Sequence, residues 1–374
     1  MKFIIAPDKF KGSLTGFEFC DAVEEGLRMV FKKAEIFKMP LADGGDGTME
    51  VARHYINGDK VSVTVNDPLF RPIEASYLYS KGTGIAYIEM AEASGLKLLK
   101  DEESNCMYTT TLGTGELIVD ALEKGAKEII LGIGGSATND GGMGMASALG
   151  YRFLDEDEEE LKPIGGNLAA IRKIDDSNKN PKLNGVMVKV ACDVTNPFYG
   201  QNGAAYVYAK QKGASDNEIV LLDQGLNNFA KIIERQFHID LQEVDGAGAA
   251  GGVGGGALIF LKGDLISGID MVKELSGFDT AIEGADWIIT GEGKLDEQTL
   301  SGKTIDGVIT SANLKQIPVA ALCGSVSISI AQQQAFGLEY VASIVRGVGT
   351  LQEAMAKSHD NLVNSTYNFA KLIK

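Results

Sequence analysis

The sequence predicts an α/β fold built on a parallel or mostly parallel sheet with helices on both faces. Three observations lead there. Short apolar runs of strand character alternate with stretches of helical spacing, the signature of strand–helix–strand units. The polar glycine-rich segments follow those apolar runs, so they lie beyond the carboxyl ends of strands, where open α/β sheets bind ligands. A length of 374 residues, at roughly 150 per domain, makes two domains the working expectation.

Residues 2–6 read as a short apolar strand, followed by a polar loop at 7–13. Thr15 is placed to cap a helix that runs to about Met29, with Glu18 as the capping-box partner. Residues 35–39 are a second strand, ending in Ala42-Asp43-Gly44-Gly45-Asp46-Gly47-Thr48, and a helix carries 49–55. Residues 61–65 alternate as a strand, and 73–79 with 86–90 read as a hairpin around a glycine-rich turn. Residues 114–125 are helical. Residues 128–133 are a strand feeding a second glycine-rich loop at 134–144, and helix continues through 145–149. The six successive carboxylates at 155–160 read as a solvated turn. Residues 186–192 are a strand ending at Asp193, and 217–237 are mostly helical. A third glycine-rich segment, 246–256, leads into the apolar run 257–261. The strand at 286–290 precedes Gly291-Glu292-Gly293-Lys294-Leu295-Asp296. Strands at 319–322 and 341–345 and a closing helical stretch complete the chain.

Composition narrows the function. The chain carries 35 basic and 51 acidic residues, a formal charge of -16, which disfavours nonspecific nucleic-acid binding because an acidic surface repels phosphate backbones. A local anion site remains compatible with that total. With 44% hydrophobic residues the chain is no disordered segment. Glycine contributes 46 residues, well above the usual share of about 7%, without a collagen period. Cys20, Cys106, Cys192 and Cys323 form no close pair and sit beside apolar residues, so they read as reduced and mostly buried. No apolar stretch reaches the roughly 18 residues a membrane span needs, and the N-terminus lacks a signal-peptide core. A cytoplasmic protein acting on small molecules is the expectation. Oligomeric state is not legible.

Two familiar nucleotide signatures fail. Gly302-Lys303-Thr304 resembles the end of a phosphate-binding Walker loop, but Glu297 stands where that pattern needs glycine. Gly246, Gly248 and Gly251 match the dinucleotide spacing, yet the preceding residues 238–245 are polar and form no clear strand. The three histidines, His54, His238 and His359, avoid the glycine-rich loops, which disfavours a histidine triad or zinc site. Ser13 and Ser136 lack the setting of an acyl-transfer nucleophile.

The remaining candidates are polar groups at strand ends, each with an ordinary alternative as a turn residue. Asp8, Lys9, Lys11 and Ser13 follow the first strand, and the lysines suit an anionic group. Asp43, Asp46 and Thr48 supply oxygen ligands of the kind Mg²⁺ takes. Gly134, Gly135, Ser136, Thr138 and Asn139 form a loop able to wrap a phosphate with backbone N–H groups and hydroxyls. Asp140 would cap the next helix, bind magnesium, or both. Asp193 ends a strand, with Asn196 close behind. Glu292, Lys294 and Asp296 suggest a metal–phosphate environment, and Arg71 has the fork geometry to clamp a carboxylate. From residues alone, the reading is a metal-dependent reaction on a phosphate or another anion, with the acceptor open.

Taken in order, eight segments resemble the bacterial glycerate kinase family over essentially the whole chain. They are APDKFKGSL at 6–14, PLADGGDGT at 40–48, IEMAEASGL at 88–96, TTTLGTGELI at 109–118, GIGGSATNDGG at 132–142, VACDVTNPFYG at 190–200, GAGAAGG at 246–252 and ITGEGKLDEQTLSGK at 289–303. The chain departs from the usual pattern at Lys9, Asp46, Lys294 and Glu297, where Ser, Glu, Arg and Gly are common. The resemblance implies two different α/β domains around a cleft, one doubly wound and carrying a long insertion, with boundaries expected at 1–87 plus 291–374 and at 88–290. It implies ATP-dependent phosphorylation of D-glycerate with Mg²⁺, most often at the 2-hydroxyl. On that reading, Gly134, Gly135, Ser136, Thr138, Asn139 and Lys294 receive ATP. Arg71, Asn196 and Ser13 hold the acceptor. Asp193, then Asp8, orients or deprotonates the hydroxyl, with Lys9 and Lys11 as electrostatic clamps. Asp43, Asp46, Asp140, Glu292 and Asp296 compete for the metal. A kinase giving 3-phosphoglycerate or acting on another small hydroxy acid, an NAD-dependent oxidoreductase and a non-catalytic anion or nucleotide sensor are the alternatives.

Overall fold

A computed structural model describes residues 1–44, 47–297, 299 and 303–374. Its strands, in chain order, are β1 (Lys2–Ile5), β2 (Glu35–Lys38), β3 (Asp59–Asn66), β4 (Pro72–Ser80), β5 (Ile85–Glu89), β6 (Glu128–Gly132), β7 (Arg152–Leu154), β8 (Lys173–Asp175), β9 (Met187–Ala191), β10 (Asp264–Ile266), β11 (Trp287–Thr290), β12 (Lys294–Leu295), β13 (Val319–Cys323), β14 (Ser325–Val326) and β15 (Leu338–Ser343). The chain divides into two compact units, one made of Met1–Tyr55 with Ser267–Lys374 and the other of Ile56–Ile266. The alternating pattern read from the sequence is therefore an α/β fold in both units, with the second inserted into the first.

In the first unit, five parallel strands pair in the order β15-β13-β11-β1-β2. Counting this sheet's strands alone, the order is the 2-1-3-4-5 of a doubly wound sheet, and the direction of winding reverses between β1 and β11. A crevice opens at that switch point because the two crossovers leave it to opposite faces. The helix Gly16–Arg28 starts with the capping box expected of Thr15 and Glu18. Its Phe19, Val23 and Leu27, one turn apart, join Phe3 and Ile5 of β1 and Leu362 and Phe369 of the last helix in one core.

Gly26 permits the closest part of that packing. A Cβ there would lie 2.6 Å from the Val363 carbonyl and 2.7 Å from Thr366 Cβ. Gly26→Ala gains about 1 kcal/mol of helix propensity but must push two backbones apart. Overpacking of this kind costs about 1–3 kcal/mol, so a net loss of up to about 2 kcal/mol is expected, read as a lower urea midpoint. A stabilised variant would show that the helix pair has slack.

The second unit holds a six-stranded sheet, β10-β9-β6-β5-β4-β3. Strands β5, β6, β9 and β10 are parallel, and β4 runs antiparallel to both β3 and β5. The hairpin read from the sequence is thus present, with β3 as a third antiparallel member. This pairing moves the domain boundary from the expected residue 88 to residue 56, since β3 and β4 extend the inserted sheet. At the other end, β11 pairs with β1, so the return point lies at 267 rather than 291. Phe153, Phe198, Phe229 and Phe260 meet in the aromatic part of the core. The carboxylate run folds as expected: Asp155 accepts from the backbone of Asp157 and Glu159 in an exposed turn.

The segment that imitates a dinucleotide fingerprint has a packing role. Only a short 3-10 turn at Leu241–Glu243 precedes it. The apolar run at its end belongs to a helix, Ala249–Phe260, whose first turns contain left-handed residues. At Gly251 (φ 72°) a Cβ would sit 2.1 Å from the Thr138 carbonyl. A side chain there would displace the 134–142 loop. No helix among the described residues is long and apolar enough to cross a membrane.

Candidate functional site

Each unit gathers its polar groups at the carboxyl edge of its own sheet. In the first unit, the loops after β1 and β11 flank the switch point. The Asp8 amide donates to the Gly291 carbonyl at 2.9 Å, which ties the two loops together. Asp8 Oδ1 accepts from the Lys9 amide at 2.7 Å, and Oδ2 accepts from Thr304 Oγ1 at 2.8 Å. Thr304 opens the helix Thr304–Leu314, so β1, β11 and this helix converge on one carboxylate. Burial raises the Asp8 carboxyl above its ordinary value, and Asp43 pushes it further up, against the pull of Thr304 and Lys9. Lys9 lies along Gly47 of the β2 loop, with Nζ 3.4 Å from where a Cβ would stand. A cavity of about 30 Å³, lined in part by Asp8, Lys9 and Gly47, has room for a water molecule between them.

Glu292 is the second unusual acid. Burial, helped by the charges of Asp8 and Asp296, raises it to about 7, while Thr299 and Lys303 pull it down. Its Oε1 is buried without a hydrogen-bond partner among the described residues. Lys294 pairs with Asp296 at 2.9 Å. The structure thus brings Asp8, Lys9, Asp43, Glu292 and Asp296 into one electrostatic neighbourhood, and adds Thr304 and Thr299. Lys11 is exposed on the same loop. Ser13 faces away: its hydroxyl donates to the Met355 carbonyl at 3.1 Å and to Ser358 Oγ at 2.6 Å. It fastens the loop to the C-terminal helices. Asp46 and Gly302 lie outside the described residues.

In the second unit, the loop after β6 is built differently from the sequence expectation. Gly134 and Gly135 are exposed at its tip, whereas Ser136, Thr138, Asn139 and Asp140 are buried. Its strand-like middle pairs with the segment after β5, through Leu96 to the Gly135 carbonyl and Ala137 to the Ser94 carbonyl. The side-chain hydroxyls therefore point into the protein and only the glycine tip is accessible. Asp140 is fully buried, and its carboxylate accepts from the amides of Thr111, Gly142 and Gly144 and from Thr111 Oγ1. Of the two roles open to it, the geometry supports the cap: the oxygens are enclosed by donors and face no open space. Burial still raises its carboxyl against those four bonds.

Arg71 sits in the turn between β3 and β4, but the carboxylates it clamps are the protein's own. Its Nε reaches Asp67 at 2.6 Å and its Nη1 reaches Glu103 at 2.8 Å. Asn196 likewise serves its own loop, donating to the Asn202 carbonyl at 2.9 Å and accepting from Tyr208 at 2.6 Å. Asp193 is exposed at the carboxyl end of β9. Among the described residues, no group of three or more His, Cys, Asp or Glu forms a metal cage.

Sequence reasoning overlooked three groups. Thr304 was hidden inside a failed Walker pattern. Glu89, at the end of β5, lay in a quoted motif without a role; burial raises its carboxyl, and Tyr87 donates to it. Lys212 carried no motif at all, yet it is 3% exposed, and its Nζ donates to Ser136 Oγ and to the Thr138 carbonyl, each at 2.7 Å.

The chain as a whole has known relatives. Residues 3–374 match the sequence profile of the Glycerate kinase family. The chain belongs to that family. A "Glycerate kinase" of Bacillus cereus is 44% identical over 374 residues, covering 100% of this chain and 98% of that one. The "Glycerate 2-kinase" of Escherichia coli is 42% identical over 370 residues, 99% of this chain and 97% of that one. A crystal structure from Salmonella typhimurium LT2, provisionally named glycerate kinase 2, superposes with a TM-score of 0.88 at 39% identity, covering 100% of this chain and 98% of that chain. Glycerate kinase family membership thus rests on the whole length, both units included.

Proposed function

We propose that this glycerate kinase family member transfers the γ-phosphoryl group of ATP to the 2-hydroxyl of D-glycerate, giving 2-phosphoglycerate and ADP. The observation that carries the reading is the switch-point cluster of Asp8, Lys9, Glu292 and Thr304. It occurs in a chain whose full-length relatives are named glycerate kinases. The name of the Escherichia coli relative favours the 2-position. Phosphoryl transfer asks the protein mainly for positioning and charge stabilisation. Asp8, held by Thr304, accepts the proton that the attacking hydroxyl releases as the new P–O bond forms and the bond to ADP breaks. The lysines at 9 and 11 counter the charge on the transferring oxygens. The exposed Gly134–Gly135 tip offers a close backbone approach to an anion.

Mg²⁺ fits the acidic residues of the first unit. It binds through one or two carboxylates while keeping waters and phosphate oxygens, so the missing cage is no obstacle. Glu292, with its unpartnered buried oxygen, and Asp43 would hold it. When bound, it neutralises charge on the phosphate oxygens. The four free cysteines suit a reducing, cytoplasmic setting.

The test is purified protein with D-glycerate, ATP and Mg²⁺, following ADP and coupling product directly to enolase without a mutase. Immediate enolase signal is expected, and removing Mg²⁺ with EDTA should abolish turnover until excess Mg²⁺ is restored. Signal only after mutase addition would move transfer to the 3-hydroxyl. No glycerate-dependent ADP from folded protein would overturn the substrate.

A further inference from the structure

Lys212 stands apart from every other lysine by its enclosure. It ends the short 3-10 turn Lys210–Lys212, and its own carbonyl accepts from the Cys106 amide at 3.0 Å. The ammonium reaches back under the loop after β6 and spans two of its residues, Ser136 by the hydroxyl and Thr138 by the carbonyl. Two of its three protons are thereby used. No carboxylate among the described residues pairs with it directly; the Asp140 carboxylate and the Cys106 thiol are the titratable groups whose charge it feels. Desolvation lowers its pKa to about 8. An apolar side chain could fill this space without the cost of burying an ammonium. Beside it, Thr138 Oγ1 and both polar atoms of the Asn139 side chain are buried without hydrogen-bond partners among the described residues. Above it, Gly134 and Gly135 are exposed. The loop therefore has an accessible backbone tip, an incompletely satisfied interior and one fixed positive charge behind it.

We propose that Lys212 is the positioning cation of the Gly134–Asn139 loop. By tying Ser136 to Thr138 from beneath, it sets the loop's shape and supplies the charge that holds an anionic oxygen group at the glycine tip. The occupant is a phosphate of the nucleotide or the carboxylate of the acceptor, which share this chemistry. The assignment rests on the function proposed above and adds to it a residue that no motif marks. Lys212 does not touch the ligand; it acts through the loop.

Lys212→Met and Lys212→Arg separate this from a packing role. kcat and KM are measured for ATP and for D-glycerate, each with the other saturating, alongside thermal melts. Lys212→Met should raise one KM at least tenfold with kcat within about threefold of wild type. A rise confined to ATP assigns the tip to phosphate, and a rise confined to glycerate assigns it to the carboxylate. Lys212→Arg, which keeps charge and donors, should recover most of the loss. A folded Lys212→Met with both KM values within twofold of wild type overturns the proposal. So does a loss shared equally by both KM values and kcat that Arg does not relieve. If Lys212→Met does not fold, Ser136→Ala, which removes one of the two ties, is read by the same split, and unchanged KM values overturn the proposal. If wild-type protein shows no glycerate-dependent turnover, the function is what fails. The loop is then tested by calorimetry with inorganic pyrophosphate, where equal or absent binding to wild type and the folded variant carrying the substitution counts against it.

Discussion

Asp140→Ala should destabilise the protein by about 3–5 kcal/mol, because it leaves several buried donors without a partner. The reason is local. Four donors, three of them backbone amides, converge on this carboxylate: Thr111 by both its amide and hydroxyl, Gly142 and Gly144. Truncation leaves them in a region with no solvent access, and each buried unsatisfied group costs about 1–3 kcal/mol before relaxation. Relaxation is restricted because the same stretch packs against Gly251 and Gly256, where even a methyl group would collide. Against a total stability of about 5–15 kcal/mol, the loss is large. It should appear as a melting point lower by roughly 10 °C and as a shifted urea midpoint. Asp140→Asn keeps the volume but turns an amide donor toward other donors, so it should recover only part. If Asp140→Ala melts within 2 °C of wild type, the carboxylate is not the keystone of this loop.

Asp8→Asn should lower kcat by 10²–10⁴, the range for removing a positioned general base, or about 3–5 kcal/mol in the barrier. The fold should survive, since the amide oxygen can still accept from Thr304 or from the Lys9 backbone. A second readout separates chemistry from packing. Asp8 is one of the charges that raise Glu292 to about 7. Removing it should move the Glu292 titration toward its ordinary value. In the Mg²⁺-free protein, the Glu292 carboxyl of Asp8→Asn should therefore titrate at lower pH than in wild type, read by NMR. A kcat within threefold of wild type would remove Asp8 from the chemical step. Asp193→Asn is the natural companion: intact kcat there would leave Asp8 as the sole base.

Much of this architecture is legible in the sequence. The strands are short apolar runs, and their order along the chain required βαβ units. The capping box at Thr15 and Glu18 is a contiguous pattern, so it was readable and is present. The glycine-rich loops at 42–48 and 134–144 follow strands, as their place after apolar runs implied. The failed fingerprint at Gly246 was readable as packing because no strand preceded it.

Direction and pairing were not legible. Ser136 and Thr138 have the residue types of a phosphate-binding loop, yet their hydroxyls face inward because the loop is strand-paired on one side and backed by a lysine far along the chain. Arg71 has the chemistry to clamp a carboxylate, and Asp67 and Glu103 happen to fold within its reach. Asp140 read as a cap, a metal ligand or both; the nearby amides of Gly142 and Gly144 make it a cap, and Thr111, from a distant segment, closes its remaining side. By itself, then, the sequence determined the α/β class, the family and the place of the polar loops after strands, because these depend on local periodicity and contiguous motifs. The tertiary structure alone decided the unit boundaries, the pairing of β1 with β11, and the placing of Thr304 on Asp8 and Lys212 beneath Ser136. Those contacts join residues far apart in the chain, and no local rule of spacing or propensity encodes them.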